Sequence, residues 1–258
     1  MPTSWPMVHV VDHLEHCDVL EAEVRRFAGA QANTADDLAI PSCPGWTLLD
    51  LASHLGTVHR WAEHLVRVRA VQRIPDSEMH FERGPVTPVW LEEGGLRLVA
   101  TLRGVDPEEP MWAWGADQHA RFWSRRQLHE TLVHRIDVEL ATGRRPEVES
   151  SIAADCIDEF LVNLSMSAAF SPSVRGLRGD KRTLCFRVDD GTASWTATLL
   201  PDGFTIASGG NSGDAMLTAC ALDLLLILYR RSTHHEPGVL TDGDPELIDF
   251  WLRHAVLV

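Results

Sequence analysis

The clearest periodic signal in the chain lies between Thr47 and Val68. Leu48, Leu51, Leu55, Val58, Ala62, Leu65 and Val68 recur at steps of three and four, the spacing that lays one apolar stripe along a helix. Thr47 followed by Asp50 predicts a capping-box start, because each can satisfy a free backbone N–H of the other. An earlier stretch, Val10, Leu14, Cys17, Leu20 (or Glu21), Val24 and Phe27, steps in the same way and predicts a first helix, ended by Gly29 and the polar run Gln31 to Asp37. Between these two helices, Pro41-Ser42-Cys43-Pro44-Gly45-Trp46 reads as a rigid turn. A polar loop bounded by Pro75 and Pro88 precedes a third helix, Val89 to Leu102, expected in spite of Gly94-Gly95. After an irregular stretch, Gly104 to Gly115, a fourth helix is expected from Gln118 or Phe122 to Thr142, stopped by Gly143 and Pro146.

The pattern then changes. A helix from Ser151 to Ala169 and a linker from Ser171 to Asp180 lead into strand-like runs at Thr183 to Val188, Ser194 to Leu200 and Phe204 to Ala207. Turns are expected at Asp190-Gly191 and Asp202-Gly203, and Met216-Leu217-Thr218 reads as a fourth strand. Ala221 to Arg231 and Pro245 to His254 read as helices. The expected fold class is α+β in two domains. An up-and-down four-helix bundle over residues 1–147 is followed by a small α+β domain over 148–258, with the boundary near Arg145 to Ser150.

Charge narrows the classes of partner. The chain holds 23 Lys+Arg against 37 Asp+Glu, a formal net charge of −14, which disfavours nucleic acid and anionic membrane surfaces. No apolar run approaches a membrane span, and Met1 to Met7 shows no secretory signal. The five cysteines (Cys17, Cys43, Cys156, Cys185, Cys220) are scattered without a CxxC. They read as packed thiols in a reducing, cytoplasmic setting. Nine Trp against one Tyr call for a filled core or an aromatic-lined pocket; Trp46, Trp61, Trp112 and Trp114 are candidates for either.

Of the 13 histidines, His9, His13 and His16 are expected on a solvated face of the first helix, and His234-His235 in an exposed loop. The informative segment is His129-Glu130-Thr131-Leu132-Val133-His134-Arg135-Ile136-Asp137. Glu130 and His134, four apart, project side by side from a helix and have the types and spacing to share a metal ion. They lie roughly 130–165° from the arc of Leu128, Leu132, Val133, Ile136 and Leu140, which equally suits a solvent-exposed pair. Trp123, Val138 and Ala141 flank them, so this helix is apolar on two sides. His54, on the second helix, is a candidate third donor. The neighbouring His59 and Glu63 form a rival i,i+4 pair, expected to be solvated. Asp137 reads either as an acceptor behind His134 or as a surface carboxylate.

Three separated signatures carry a resemblance. Pro41-Ser42-Cys43-Pro44-Gly45-Trp46-Thr47 with Asp50-Leu51 and His54-Leu55-Gly56 is the first. His129 to Asp137 is the second, and Gly213-Asp214-Ala215 with Leu217-Thr218 and Ala221-Leu222-Asp223-Leu224-Leu225-Leu226 is the third. In that order they resemble the mycothiol-dependent maleylpyruvate isomerase family: a DinB-like metal-binding four-helix bundle with a C-terminal, sterol-carrier-protein-like α+β domain. The resemblance implies a divalent metal, Zn²⁺ or another, held by His54, Glu130 and His134 with a position open to water or thiol. It also implies an arginine at the end of the C-terminal domain's helix facing the metal cleft. Arg231 corresponds to it, but relatives often show Trp-Gly-Arg where this chain has Tyr229-Arg230-Arg231. Either arginine is therefore a candidate, and a cation capping the helix C-terminus is the other reading of Arg231.

The chemistry so implied is a low-molecular-weight thiol, mycothiol, deprotonated at the metal and directed at a small electrophile. An S-transferase is expected ahead of the maleylpyruvate-type cis–trans isomerase. A catalytically silent metal-binding regulatory protein, and a metal-assisted hydrolase working without thiol, are the alternatives. A monomer or weak homodimer is expected.

Overall fold

The computed structural model describes residues 11–75, 78 and 85–256. It forms two compact units, Asp12–Pro146 and the chain from Glu147 onward, with Val11 grouped in the second. His9, Val10 and most of the loop between Pro75 and Pro88 lie outside the described residues, as does Met1 to Met7. Among the described residues no helix is long and apolar enough to cross a membrane.

The first unit contains α1 (His13–Ala32), α2 (Leu48–Arg67), α3 (Pro88–Arg103) and α4 (Ala120–Ala141). The neighbours of α1 are α3 and α4, and those of α2 are likewise α3 and α4. Helices α1 and α2 therefore lie across the bundle from each other, and the segment joining them crosses one end. The predicted cap of α2 is present: the Thr47 hydroxyl accepts from Asp50 N, and Asp50 Oδ2 accepts from Thr47 N at 2.9 Å. Helix α3 keeps its glycine pair because it packs closely on both neighbours. A Cβ on Gly95 would sit 2.6 Å from the Val24 side chain of α1 and 3.2 Å from the His59 ring of α2.

Helix α1 departs from expectation in two ways. It begins at His13, where Asp12 accepts from Glu15 N, and it runs through Gly29 to Ala32. One glycine in a helix interior costs only about 1 kcal/mol, less than its packed neighbours Phe27, Ala28 and Ala30 supply. Its inward face also holds His13 and His16, while Leu14 is exposed. The solvated face expected for these histidines is thus corrected. His13 is engaged inside by Ser124 Oγ at 2.9 Å and by the Leu102 carbonyl, which accepts from its Nε2 at 2.8 Å. The His59–Glu63 pair is corrected in the same way: both residues are buried. His59 Nε2 lies 2.9 Å from Thr131 Oγ1, and Glu63 accepts from Arg67 and Thr101. They do not meet each other as a donor pair.

Helix α4 is buried on two sides, along Leu128, Leu132, Arg135 and Ile136 and again along Trp123, Arg126, Asp137 and Val138. Arg135 is fully buried, and its Nε donates to Glu23 Oε2 of α1 at 2.7 Å. Glu139 and Arg26 extend the network across the α1–α4 seam.

The second unit begins with α5 (Ser150–Asn163), shorter than the predicted helix because 3₁₀ turns replace its last part at Met166–Ala169 and fill the linker at Pro172–Gly176. The sheet has the order β3-β2-β1-β4-β5. Strands β1 (Thr183–Val188), β2 (Ser194–Leu200) and β3 (Gly203–Ser208) form an antiparallel meander; β4 (Ala215–Ala219) pairs parallel to β1. The edge strand β5 (Leu240–Gly243), wholly exposed and with one apolar residue, carries no alternation by which to find it. Helix α6 (Ala221–Leu228) stops short of Arg231 because Arg230 turns left-handed at φ +62°, and α7 (Pro245–His254) closes the unit. His234 is buried rather than solvent-facing, 3.7 Å from Asp249 Oδ1; its neighbour His235 is exposed.

Two outcomes follow from this packing. Glu23→Ala leaves the buried Arg135 guanidinium with Glu139 as its carboxylate partner and its Nε without Glu23, and urea unfolding is expected to show a loss of about 1–3 kcal/mol. Burial pushes the His59 imidazole down to about 3, against roughly 6.5 in the unfolded chain. The unfolded chain therefore takes up a proton below pH ~6.5 that the folded state refuses until about pH 3. Stability present above pH ~6.5 falls by up to ~1.4 kcal/mol per pH unit as the pH drops through that window. His59→Gln should flatten this slope in urea midpoints measured between pH 6 and 4.

Candidate metal centre

Three side chains converge between α2 and α4. His54 stands on α2, two turns beyond its capped start, and Glu130 and His134 stand one turn apart on α4. His54 Nε2 lies 3.0 Å from Glu130 Oε1, and His134 Nε2 lies 3.3 Å from the same oxygen. The two imidazole rings meet edge to face with centroids 5.3 Å apart, and one donor atom from each of the three residues falls within 4.8 Å of the others. A tetrahedral Zn²⁺ with bonds of about 2.0–2.1 Å needs neighbouring donors about 3.3 Å apart. Two nitrogens and one carboxylate oxygen at these separations fit such an ion, and the trio is partly open to solvent.

The second oxygen of Glu130 is engaged from behind. Arg126, buried and one turn earlier on α4, donates Nη2 to Glu130 Oε2, and its guanidinium lies 5.8 Å from the Trp114 ring centre. Burial on its own would raise the Glu130 carboxyl; Arg126, with hydrogen bonds from His134 and His54, overcomes it and holds Glu130 well below the usual carboxylate range. The His134 imidazole goes the other way. Burial opposes its charge, but hydrogen bonding to Asp137, Cys43 and Glu130 raises it well above the ordinary histidine value.

Asp137 is fully buried, not a surface carboxylate, and its Oδ2 lies 3.0 Å from His134 Nδ1. Ser42 donates to Asp137 Oδ1 at 2.7 Å, and the Cys43 thiol to Oδ2 at 3.7 Å. Cys43, His134 and Asp137 form a second close group of potential donors, sharing His134 with the first.

Of the four tryptophans singled out, Trp46 stands by the trio, its ring 5.1 Å from that of His54. Trp61 and Trp112 pack with Trp123 at centroid separations of 5.2–6.1 Å, and Trp114 packs edge-on to Phe122 at 5.4 Å. Arg231 belongs to the second unit, where its Nη1 donates to the Tyr229 carbonyl at 2.7 Å. Arg126 and Ser42 escaped the sequence reading. The i,i+4 spacing of Arg126 to Glu130 was the one local signal available; Ser42 reaches Asp137 across 95 positions and had none.

Residues 17–139 match the family model described as the mycothiol maleylpyruvate isomerase N-terminal domain. Among solved structures, that of a mycothiol-dependent maleylpyruvate isomerase superposes with a TM-score of 0.55, and that of a histidine-to-alanine mutant of this enzyme with 0.58. Each is 11% identical, over 93% of this chain and 97% of the other, so this likeness is one of fold. No curated protein sequence matches significantly. The span matched by that family model, residues 17–139, carries all three converging donors.

Proposed function

We propose that this protein is a metal-dependent enzyme that activates a low-molecular-weight thiol, mycothiol, for transfer to a small electrophilic substrate. The observation that carries this reading is the convergence of His54 Nε2, Glu130 Oε1 and His134 Nε2 on one point at the spacing a small divalent cation needs. Three single-atom donors are the complement of catalytic rather than closed structural zinc sites. When bound there, Zn²⁺ or another divalent ion supplies a Lewis-acidic position at which a thiol, with a free pKa of roughly 8.5, is held as thiolate at neutral pH.

The remaining work falls to the chain's own side chains. Arg126 occupies Glu130 Oε2 and so leaves Oε1 as the donor facing the histidines. Its charge also offsets that of Glu130, which keeps the centre electropositive and suited to an anionic sulfur. His134 would hold the ion through an Nε2 that carries no proton. Trp46, more than one-third exposed and with its ring tilted against that of His54, offers an apolar wall to whatever enters. Arg231 is proposed, from the family resemblance, to bind an anionic group of the substrate.

Cis–trans isomerisation of the maleylpyruvate type is the second reading, favoured by the family match. Both reactions begin with addition of thiolate to an electrophilic carbon. In transfer the new C–S bond is kept; in isomerisation it breaks after rotation and the thiol is recovered.

The test is incubation of the metal-loaded protein with mycothiol and a panel of small electrophiles, read by mass spectrometry. A thioether product supports transfer; cis–trans conversion with the thiol recovered selects the isomerase. Consumption in thiol-free buffer selects hydrolysis, and tight metal binding without any turnover selects a regulatory protein; either overturns the proposal. His134→Ala should lose metal, by elemental analysis, together with activity while circular dichroism shows the bundle intact; unchanged metal content would overturn the donor assignment. Arg231→Ala should leave metal content unchanged and raise KM for an anionic electrophile at least 10-fold, while KM for a neutral one stays within twofold.

A further inference from the structure

We infer that the turn formed by residues 41–46 is part of the metal centre, with Ser42 and Asp137 acting as positioning residues that aim His134 Nε2 at the ion. The inference rests on the reading of His54, Glu130 and His134 as metal donors and adds what holds one of them in place.

A carboxylate accepts hydrogen bonds and donates none. With Asp137 Oδ2 at 3.0 Å from His134 Nδ1, the hydrogen of that contact is therefore on Nδ1. A ring with one proton then keeps its lone pair on Nε2, the atom that faces Glu130 and His54. Asp137 is itself held: Ser42 donates to Oδ1 at 2.7 Å, and the Cys43 thiol lies 3.7 Å from Oδ2. Both carboxylate oxygens are thus tied to a segment more than ninety positions away.

That segment is stiff. Pro41 and Pro44 fix two of its φ angles, and Gly45 sits at φ +86°, a left-handed conformation that a side chain would strain. Its ends are closed by Ile40 N to Trp46 O at 2.9 Å and Trp46 N to Cys43 O at 3.0 Å. A hydroxyl on such a frame holds Asp137 in a way that a swinging surface serine would not. The same turn reaches the other histidine directly, through the Trp46 ring 5.1 Å from that of His54. One short loop therefore reaches His54 directly and His134 through Asp137. The rival use of this geometry is a separate cation on Cys43, His134 and Asp137. It would require His134 to give up its Nδ1 proton, and Ser42 already occupies one Asp137 oxygen.

The experiment compares the wild-type protein with Asp137→Asn and Ser42→Ala. Zn²⁺ affinity is measured by chelator competition, the absorption spectrum with Co²⁺, and the imidazole ¹H–¹⁵N resonances in the metal-free protein. Asp137→Asn is expected to weaken Zn²⁺ binding about 10–100-fold, to shift the Co²⁺ bands, and to abolish a slowly exchanging His134 Nδ1–H resonance. Ser42→Ala, which removes one hydrogen bond, should weaken binding about fivefold with thermal stability unchanged, and decides the matter by itself if Asp137→Asn does not fold. Wild-type affinity and spectrum in Ser42→Ala would overturn the inference. So would a second bound ion that is lost on Cys43→Ser. If the wild type takes up no metal, the functional reading fails, and the Nδ1–H resonance still decides whether the brace exists: its presence in wild type and loss in Asp137→Asn uphold it, and its absence from wild type overturns it.

Discussion

The carboxylate of Glu130 is the point on which the N-terminal unit turns. One oxygen faces the Nε2 atoms of two histidines and the other is taken by a buried arginine. Arg126 and the hydrogen bonds from His134 and His54 hold this carboxylate ionised against the cost of its partial burial. That requirement fixes the neighbourhood: Arg126 must come from the same helix one turn back, His134 one turn on, and His54 from the helix opposite. Removing Arg126 leaves the carboxylate without the guanidinium that holds its second oxygen.

Helix α4 can meet these demands because it is packed on two sides. One side carries Leu128, Leu132 and Ile136 into the bundle core. Arg135 leaves the same helix to pair with Glu23 in the α1–α4 seam, while Glu130, His134 and Asp137 project toward α2 and the crossing segment. The polar groups on this helix are accordingly found in pairs and networks rather than in water, in keeping with the cost of burying charge alone.

Much of this was legible in the residues. Strand β2 follows directly from alternation, β1 from its short apolar run ahead of the Asp190-Gly191 turn, α2 from its stripe and its Thr47–Asp50 cap, and α7 from Pro245 and its apolar face. The spacing of Glu130 and His134 was visible, as was His54, though only the family resemblance joined them. What escaped was polar burial. His13, His16, His59 and His234 were read as solvated because a pattern of hydrophobic and polar positions counts histidine as polar. A neutral ring satisfied by Ser124, Thr131 or a backbone carbonyl packs like an aromatic residue. Arg126 and Ser42 escaped because their partners are chosen by tertiary geometry. Strand β5 escaped because an exposed edge with a single leucine carries no alternation.

The diagonal placement of α1 and α2 bears on how the molecule is made. The partners of the α1 seam, Glu23 and Arg135, are 112 positions apart, and Ser42 and Asp137 are 95 apart. As the polypeptide leaves the ribosome, its first two helices have neither their ionic counterpart nor their proper neighbours. Arrival of the fourth helix brings a guanidinium to one rim and two prospective ligands to the other in a single docking step. The helix that completes the bundle is therefore also the one that completes the group of converging donors.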